Sequence, residues 1–104
     1  MAKIKLEADP TFKAQVGIPV PGSKSPALVG FTFKHRTRSA VQAWAKEAAK
    51  LSEAQAIMAL VSGWDFDDEL TIENVERLCD NYQGAGEAIA EAYFAELSGA
   101  RTKN

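Results

Sequence analysis

The stretch Ser62-Gly63-Trp64-Asp65-Phe66-Asp67-Asp68-Glu69 organises the second half of this chain. Two large aromatic residues stand two positions apart and are followed by a run of acids, and no basic residue occurs between Lys50 and Arg77. A flexible linker would not contain a Trp and a Phe, because these side chains are the costliest to leave in water. We predict that 62–69 is a turn between two helices, with Trp64 in the core where they meet and the acids on the outer surface.

Helical patterns flank this turn on both sides. Ser52 and Gln55 form a capping box that begins a helix at 53–61. Thr71 is placed to cap the next helix, with Glu73 in its first turn, where the helix dipole favours an anion. That helix ends at 81–84. The last helix, from about Ala85 to Ser98, carries one apolar stripe and leaves Phe94 off it; the stripe consists of Ile89, Ala92, Tyr93 and Leu97.

An earlier helix and a β region precede these elements. Ser39 and Gln42 form a second capping box, and Trp44 lies on the apolar face of the helix that this box begins. Before it, apolar residues recur at every second position over 12–18 and 28–35, after a shorter alternation at 3–6. The proline-rich segment 19–26 reads as a mobile loop between two antiparallel strands, and Gly17 is predicted to mark a bulge.

The predicted fold is therefore α+β, mainly α: an N-terminal β-hairpin followed by about four short helices in one small domain. We predict a single domain over 1–104, with a hairpin region at 1–38, a helical region at 39–98 and a flexible tail at 99–104. The predicted structural core includes Trp44, Trp64, Phe66 and Ile89.

Composition narrows the class of protein. The apolar runs are too short to span a membrane, and the single cysteine, Cys79, fits a reducing cytoplasm. Residues 1–50 carry nine Lys or Arg against three acids, whereas residues 51–104 carry three against eleven. This division of charge can steer partners or self-association.

Catalytic and metal-binding patterns are weak. Counted from Asp65, the sixth position of a calcium loop is Leu70 rather than Gly, so the acids of 65–69 predict a solvated turn and no metal site. The single histidine and Cys79 are 44 positions apart, and no phosphate-binding glycine loop occurs. We predict no catalytic residue, no metal and no cofactor, and therefore no enzyme.

A basic segment supports an alternative function. Lys34, His35, Arg36 and Arg38 follow Phe31 and Phe33, and aromatic residues interleaved with basic ones are how several proteins bind single-stranded nucleic acid. The alternative is thus a small nucleic-acid-binding regulator that uses Lys34–Arg38. The acidic pI of about 5.4 and the lack of a recognised motif argue against it.

The same segment also carries a family resemblance. Phe31–Arg38 leads into a helix with Trp44, and Gly63–Glu69, Asn81-Tyr82, Ala88-Ile89 and Ala92-Tyr93 follow before Arg101. This pattern, from about residue 28 to the C-terminus, resembles the tail assembly chaperones of long-tailed bacteriophages (siphoviruses) and prophages.

The resemblance implies a non-catalytic helper in the host bacterial cytoplasm that is absent from the mature virion. Its implied partners are the tape measure protein, which it would keep soluble, the tail tube protein, further copies of itself and a longer frameshifted form of the chain. We predict that copies of the chain associate through the edge of the hairpin. We also predict that the partner binds a groove lined by the last two helices, with Tyr82, Tyr93, Phe94 and Leu97 as the candidates for contact. The candidate contact residues are Phe31, Phe33, Arg36, Arg38, Tyr82, Tyr93, Phe94 and Leu97.

Overall fold

The computed structural model describes residues 6–99. In this range the order of elements is β1 (Thr11–Ile18), β2 (Ala27–Lys34), α1 (Arg38–Ala48), α2 (Glu53–Leu60), β3 (Val61–Trp64), α3 (Ile72–Asn81) and α4 (Ala85–Ser98). The predicted α+β fold, with a hairpin and four helices, is confirmed. The alternation at 3–6 and the tail at 99–104 lie outside the described residues, apart from Leu6 and Gly99.

The hairpin is regular over its whole length. β1 and β2 pair antiparallel from Thr11 opposite Lys34 to Ile18 opposite Ala27 without a break in register. The predicted bulge at Gly17 is therefore wrong. Gly17 lies opposite Leu28, and a Cβ on Gly17 would come within 3.2 Å of Pro26, so close packing explains the glycine.

Residues 61–64 form a strand where the sequence predicted a helix end and a turn. β3 pairs antiparallel with β2, with Trp64 opposite Phe31, and the sheet order is β1-β2-β3. Trp64 thus ends a strand, with its ring 6.3 Å from that of Phe31, and it does not join two helices directly. The pairing was not predicted because its hydrogen-bonding partner lies far away in sequence. The acids that follow, Asp65, Asp67, Asp68 and Glu69, are exposed as predicted.

The core lies between the inner face of the sheet and helices α2, α3 and α4. Phe33, Ile89 and Tyr93 are each 0% exposed there. Trp44, Trp64 and Phe66 are half-buried and pack against this core from its margin. Aromatic rings pack on one another across the sheet. The ring centroid of Phe12 lies 5.5 Å from that of Phe33 and 5.9 Å from that of Tyr93.

Local capping sets where the helices begin. The predicted capping box of Ser52 and Gln55 is present at α2, and the Thr71 hydroxyl accepts from the Asn74 amide at α3. The predicted cap at Ser39 is wrong, because the Thr37 hydroxyl accepts from the Ala40 amide at 3.1 Å. Helix α1 therefore begins at Arg38, and Ser39 lies within its first turn.

Candidate functional site

A groove between the start of α1 and the end of α4 brings together four of the predicted contact residues. Arg36 and Arg38 line one side, and Phe94 and Leu97 line the other. The groove has a volume of about 570 Å³. We call it the α1–α4 groove; its remaining lining residues are His35, Thr37, Val41 and Ser98.

Helical spacing builds the two walls of this groove. Arg38 and Val41 are three residues apart on α1, and Phe94 and Leu97 are three residues apart on α4, so each pair shares one helical face. The Thr37 cap fixes the first turn of α1, whose first residue, Arg38, lines the groove. The result is a groove of mixed lining, in which Val41, Phe94 and Leu97 are the apolar residues and Arg38 is an exposed cation.

Arg36 is committed to contacts inside the chain. One guanidinium nitrogen, Nη2, donates to the Ala59 carbonyl at 2.7 Å, and Nη1 donates to the Tyr93 hydroxyl at 3.2 Å. The guanidinium carbon also lies 5.6 Å from the centre of the Trp44 ring, which is cation–π distance. Arg36 therefore holds the groove together, and Arg38 is the arginine that faces outward.

Three predicted contact residues are buried. Phe31 and Phe33 are 1% and 0% exposed and lie on the inner face of the sheet, and Tyr93 is 0% exposed. The Tyr93 hydroxyl donates to the Lys34 carbonyl at 2.8 Å, so the polar end of this side chain is also used internally. These side chains have no surface to offer a partner, which corrects the prediction. The alternation had identified an apolar face but not its burial by helices of the same chain.

Tyr82 lies in a different cleft from Phe94 and Leu97. It is 36% exposed and lines a small cavity of about 140 Å³ together with Trp64, Phe66 and residues of α3. The prediction that Tyr82, Tyr93, Phe94 and Leu97 line one groove between the last two helices is therefore wrong. Only Phe94 and Leu97 share a groove, and its second wall is α1.

The contact between Trp44 and Phe94 joins α1 to α4. The two ring centroids are 5.9 Å apart, and Phe94 also meets Tyr93 edge-on at 5.1 Å. Phe94 lies off the predicted stripe of α4 because it faces α1 rather than the sheet. Val41 was not predicted as a groove residue, although it lies three residues after Arg38 and so shares its helical face.

The arrangement of titratable groups does not favour catalysis. His35 lines the α1–α4 groove, whereas Cys79 lies beside Glu53 in another cleft, so the structure does not bring them together. Burial and then the neighbouring Glu53 carboxylate raise the pKa of Cys79 to about 11. Among residues 6–99 no group of three or more His, Cys, Asp or Glu side chains is placed to hold a metal ion.

The structure weakens the nucleic-acid alternative. Phe31 and Phe33 are buried and cannot stack on bases, and the Lys34 ammonium donates to the Met58 carbonyl at 3.4 Å. Arg36 is used internally.

Within the described part of the chain, no helix has the length and apolar character needed to cross a bilayer.

Comparison with known proteins places the chain in one family. A family model described as phage tail assembly chaperone matches residues 1–104, the whole chain. No curated protein and no solved structure matches it.

Proposed function

The chain belongs to the phage tail assembly chaperone family, and on that basis we propose that it binds the tape measure protein through the α1–α4 groove. In this proposal the chain acts without catalysis, in the host cytoplasm, and leaves before the virion is complete. It keeps the tape measure protein soluble while tail tube subunits polymerise around it. Self-association and a longer frameshifted form that carries the same groove belong to the same proposal.

The observation that carries the proposal is the combination of an outward-facing arginine with an apolar wall. Arg38 lines the groove and is exposed, and Val41, Phe94 and Leu97 form the apolar part of the lining. An amphipathic helix binds such a groove by its apolar stripe. A carboxylate beside that stripe would pair with Arg38, and such charge pairs fix register and speed encounter.

The position of Arg38 supports a role in binding rather than in stability. It is the first residue of α1, and the first turn of this helix contains no acid. A cation at a helix N-terminus opposes the helix dipole, at a typical cost of about 0.3–1 kcal/mol. An exposed residue that lowers stability is expected where a function, such as partner binding, requires it.

One groove of this size gives only weak binding, and the proposed mechanism uses many copies. The tape measure protein is long, so several chaperones bind along it and their contacts add through multivalency. Each single contact remains weak enough for polymerising tail tube subunits to displace it.

The test is co-expression of the cognate tape measure protein with wild-type and variant chains. We expect the wild-type chain to keep the tape measure protein in the soluble fraction and Arg38→Glu to lose most of this effect. Lys24→Glu is the control, because Lys24 is an exposed cation in the loop between β1 and β2 that does not line the groove. Equal solubility of the tape measure protein with and without the chain would disprove the function. Equal loss with both variants would disprove the groove as the site.

A further inference from the structure

Strand β1 forms one edge of the sheet, and its outward side is unpaired in the described part of the chain. The sheet order β1-β2-β3 leaves β1 with β2 as its one neighbour. An edge of this kind presents a row of backbone donors and acceptors that another strand can use.

The register identifies which backbone groups face outward. The His35 amide donates to the Pro10 carbonyl at 2.8 Å, which makes Pro10 and His35 a hydrogen-bonded pair. Since such pairs alternate along an antiparallel ladder, the even-numbered residues of β1 bond to β2. The outward residues are Thr11, Lys13, Gln15 and Gly17. No hydrogen bond among residues 6–99 joins their backbone groups to another element.

The opposite edge of the sheet has more of the features that prevent edge pairing than β1 has. β3 has only four residues, its pairing with β2 is irregular between Thr32 and Phe33, and exposed acids follow it. Short length, bulges and charge are the devices that prevent edges from pairing. β1 has eight residues in continuous register, with one charged side chain, Lys13.

We propose that β1 pairs antiparallel with β1 of a second copy of this chain across a two-fold axis at Ala14. In this register Thr11 lies opposite Gly17 of the partner subunit, and Lys13 lies opposite Gln15 of the partner subunit. All four outward residues then exchange backbone hydrogen bonds. Pro10 and Pro19 lack amide donors and bound the paired segment at its two ends.

Charge selects this register over its neighbour. A shift by one residue on each strand places Lys13 opposite Lys13 of the partner subunit, and like charges directly opposite are destabilising. The opposite shift places Thr11 opposite Pro19 of the partner subunit, which has no amide donor. The two-fold contact uses the same edge on both copies, so assembly stops at a dimer with a six-stranded sheet. The use of this dimer in tail assembly rests on the proposed function, but its formation does not.

Register-specific disulfide crosslinking of the full chain tests the interface. Lys13→Cys and Gln15→Cys are each made in a Cys79→Ala background; both positions are exposed, so the fold should tolerate them. Directly opposed residues have Cα atoms about 5.5 Å apart, within the range of a disulfide. Position 13 of one copy and position 13 of the other are offset by two residues, beyond the limit of about 7 Å. We expect the mixture of the two variants to crosslink and each variant alone to remain uncrosslinked.

The control mixture combines Lys13→Cys with Thr11→Cys, whose positions do not face each other in this register, and should not crosslink. Light scattering of the wild-type chain should give twice the monomer mass of 11.2 kDa. A monomer at all concentrations, or crosslinking that does not depend on position, overturns the proposal. Arg38→Glu should dimerise normally, so failure of the groove and failure of the β1 interface remain distinguishable.

Discussion

The Arg36 guanidinium donates to the Tyr93 hydroxyl at 3.2 Å and ties the segment after β2 to the middle of α4. The same hydroxyl donates to the Lys34 carbonyl at 2.8 Å, so one buried oxygen makes both bonds between α4 and residues 34–36. These two bonds join the segment that precedes α1 to α4, and the groove that we propose as the binding site lies between these two helices.

Removal of the Tyr93 hydroxyl should lower stability. Tyr93→Phe removes its hydrogen bonds to the Lys34 carbonyl and to Arg36, and a hydrogen bond of this kind contributes about 0.5–1.5 kcal/mol. Urea unfolding should show this loss as a lower midpoint with an unchanged slope. The control is Tyr82→Phe, since Tyr82 is exposed and should unfold like the wild type. Equal midpoints for both variants would show that the buried hydroxyl contributes nothing.

Arg38→Glu should increase stability while it weakens binding. The substitution replaces an unfavourable cation at the N-terminus of α1 with a favourable anion, with an expected gain of about 0.5–1 kcal/mol. Thermal unfolding at low salt measures this gain, and added salt should reduce it. A loss of stability would mean that Arg38 has a structural contact and would remove one support for the proposed site.

Trp64→Ala should destabilise the fold by up to about 3 kcal/mol, the lower end of the range for core aromatic truncations, because Trp64 is half-buried. The ring centroid of Trp64 lies 4.9 Å from that of Phe66 and 6.3 Å from that of Phe31. Its indole nitrogen donates to the Asp68 carbonyl at 2.8 Å. Trp64→Phe retains an aromatic ring and should lose less, mainly the hydrogen bond at about 1 kcal/mol. Denaturant unfolding of the two variants separates packing from hydrogen bonding. If both lost the same amount, the ring contacts would be unimportant.

The effect of Gly86→Ala on stability should depend on the residue at position 53. A Cβ on Gly86 would overlap the Glu53 side chain, including its Cγ at 2.8 Å, so alanine forces that side chain to move. We expect a loss of about 1 kcal/mol or more in the wild type. In a Glu53→Ala background the clash is absent, and alanine should gain up to about 1 kcal/mol from helix propensity. A double-mutant cycle measures the coupling, and additive effects would contradict the close approach.

Cys79 should react slowly and weaken the fold at high pH. Burial first, and then Glu53, raise the pKa of the thiol from 9.0 to about 11. At pH 8 the thiolate fraction is then roughly a hundredfold below that of an ordinary cysteine, so alkylation should be slow. Because the folded pKa is the higher one, the stabilising contribution is complete below pH 9 and is lost as the pH rises to 11. Cys79→Ala should lack this loss, and Glu53→Gln should speed alkylation; fast alkylation of the wild type would contradict the pKa.

The elements that depend on local signals could be predicted from the sequence. The capping box at Ser52 and the cap at Thr71 are made by residues three positions apart, and the span of α4 follows from its own apolar pattern. Strand β3 could not be predicted, because four residues with no repeat of their own become a strand only by pairing with β2. Pairing of this kind depends on the register of distant residues, which local periodicity does not predict.

The groove was only partly predictable for a related reason. Phe94 could be predicted as a contact residue because it departs from the apolar stripe of its helix. Arg38 could be predicted because of its charge. The sequence does not show that Arg36 turns inward while Arg38 faces outward, because both are arginines in the same short segment. Their difference arises from the Ala59 carbonyl and the Trp44 ring, which only the folded chain brings to Arg36.

Helix α1 carries no fully buried side chain, although it forms one wall of the groove. Its opening therefore exposes little apolar surface, so its amide protons should exchange through a local fluctuation rather than through global unfolding. The opposite wall, α4, is anchored by Ile89 and Tyr93 and should exchange only when the whole domain unfolds. A binding site with one yielding wall and one rigid wall can accept helices of different width, which suits a partner whose sequence varies along its length.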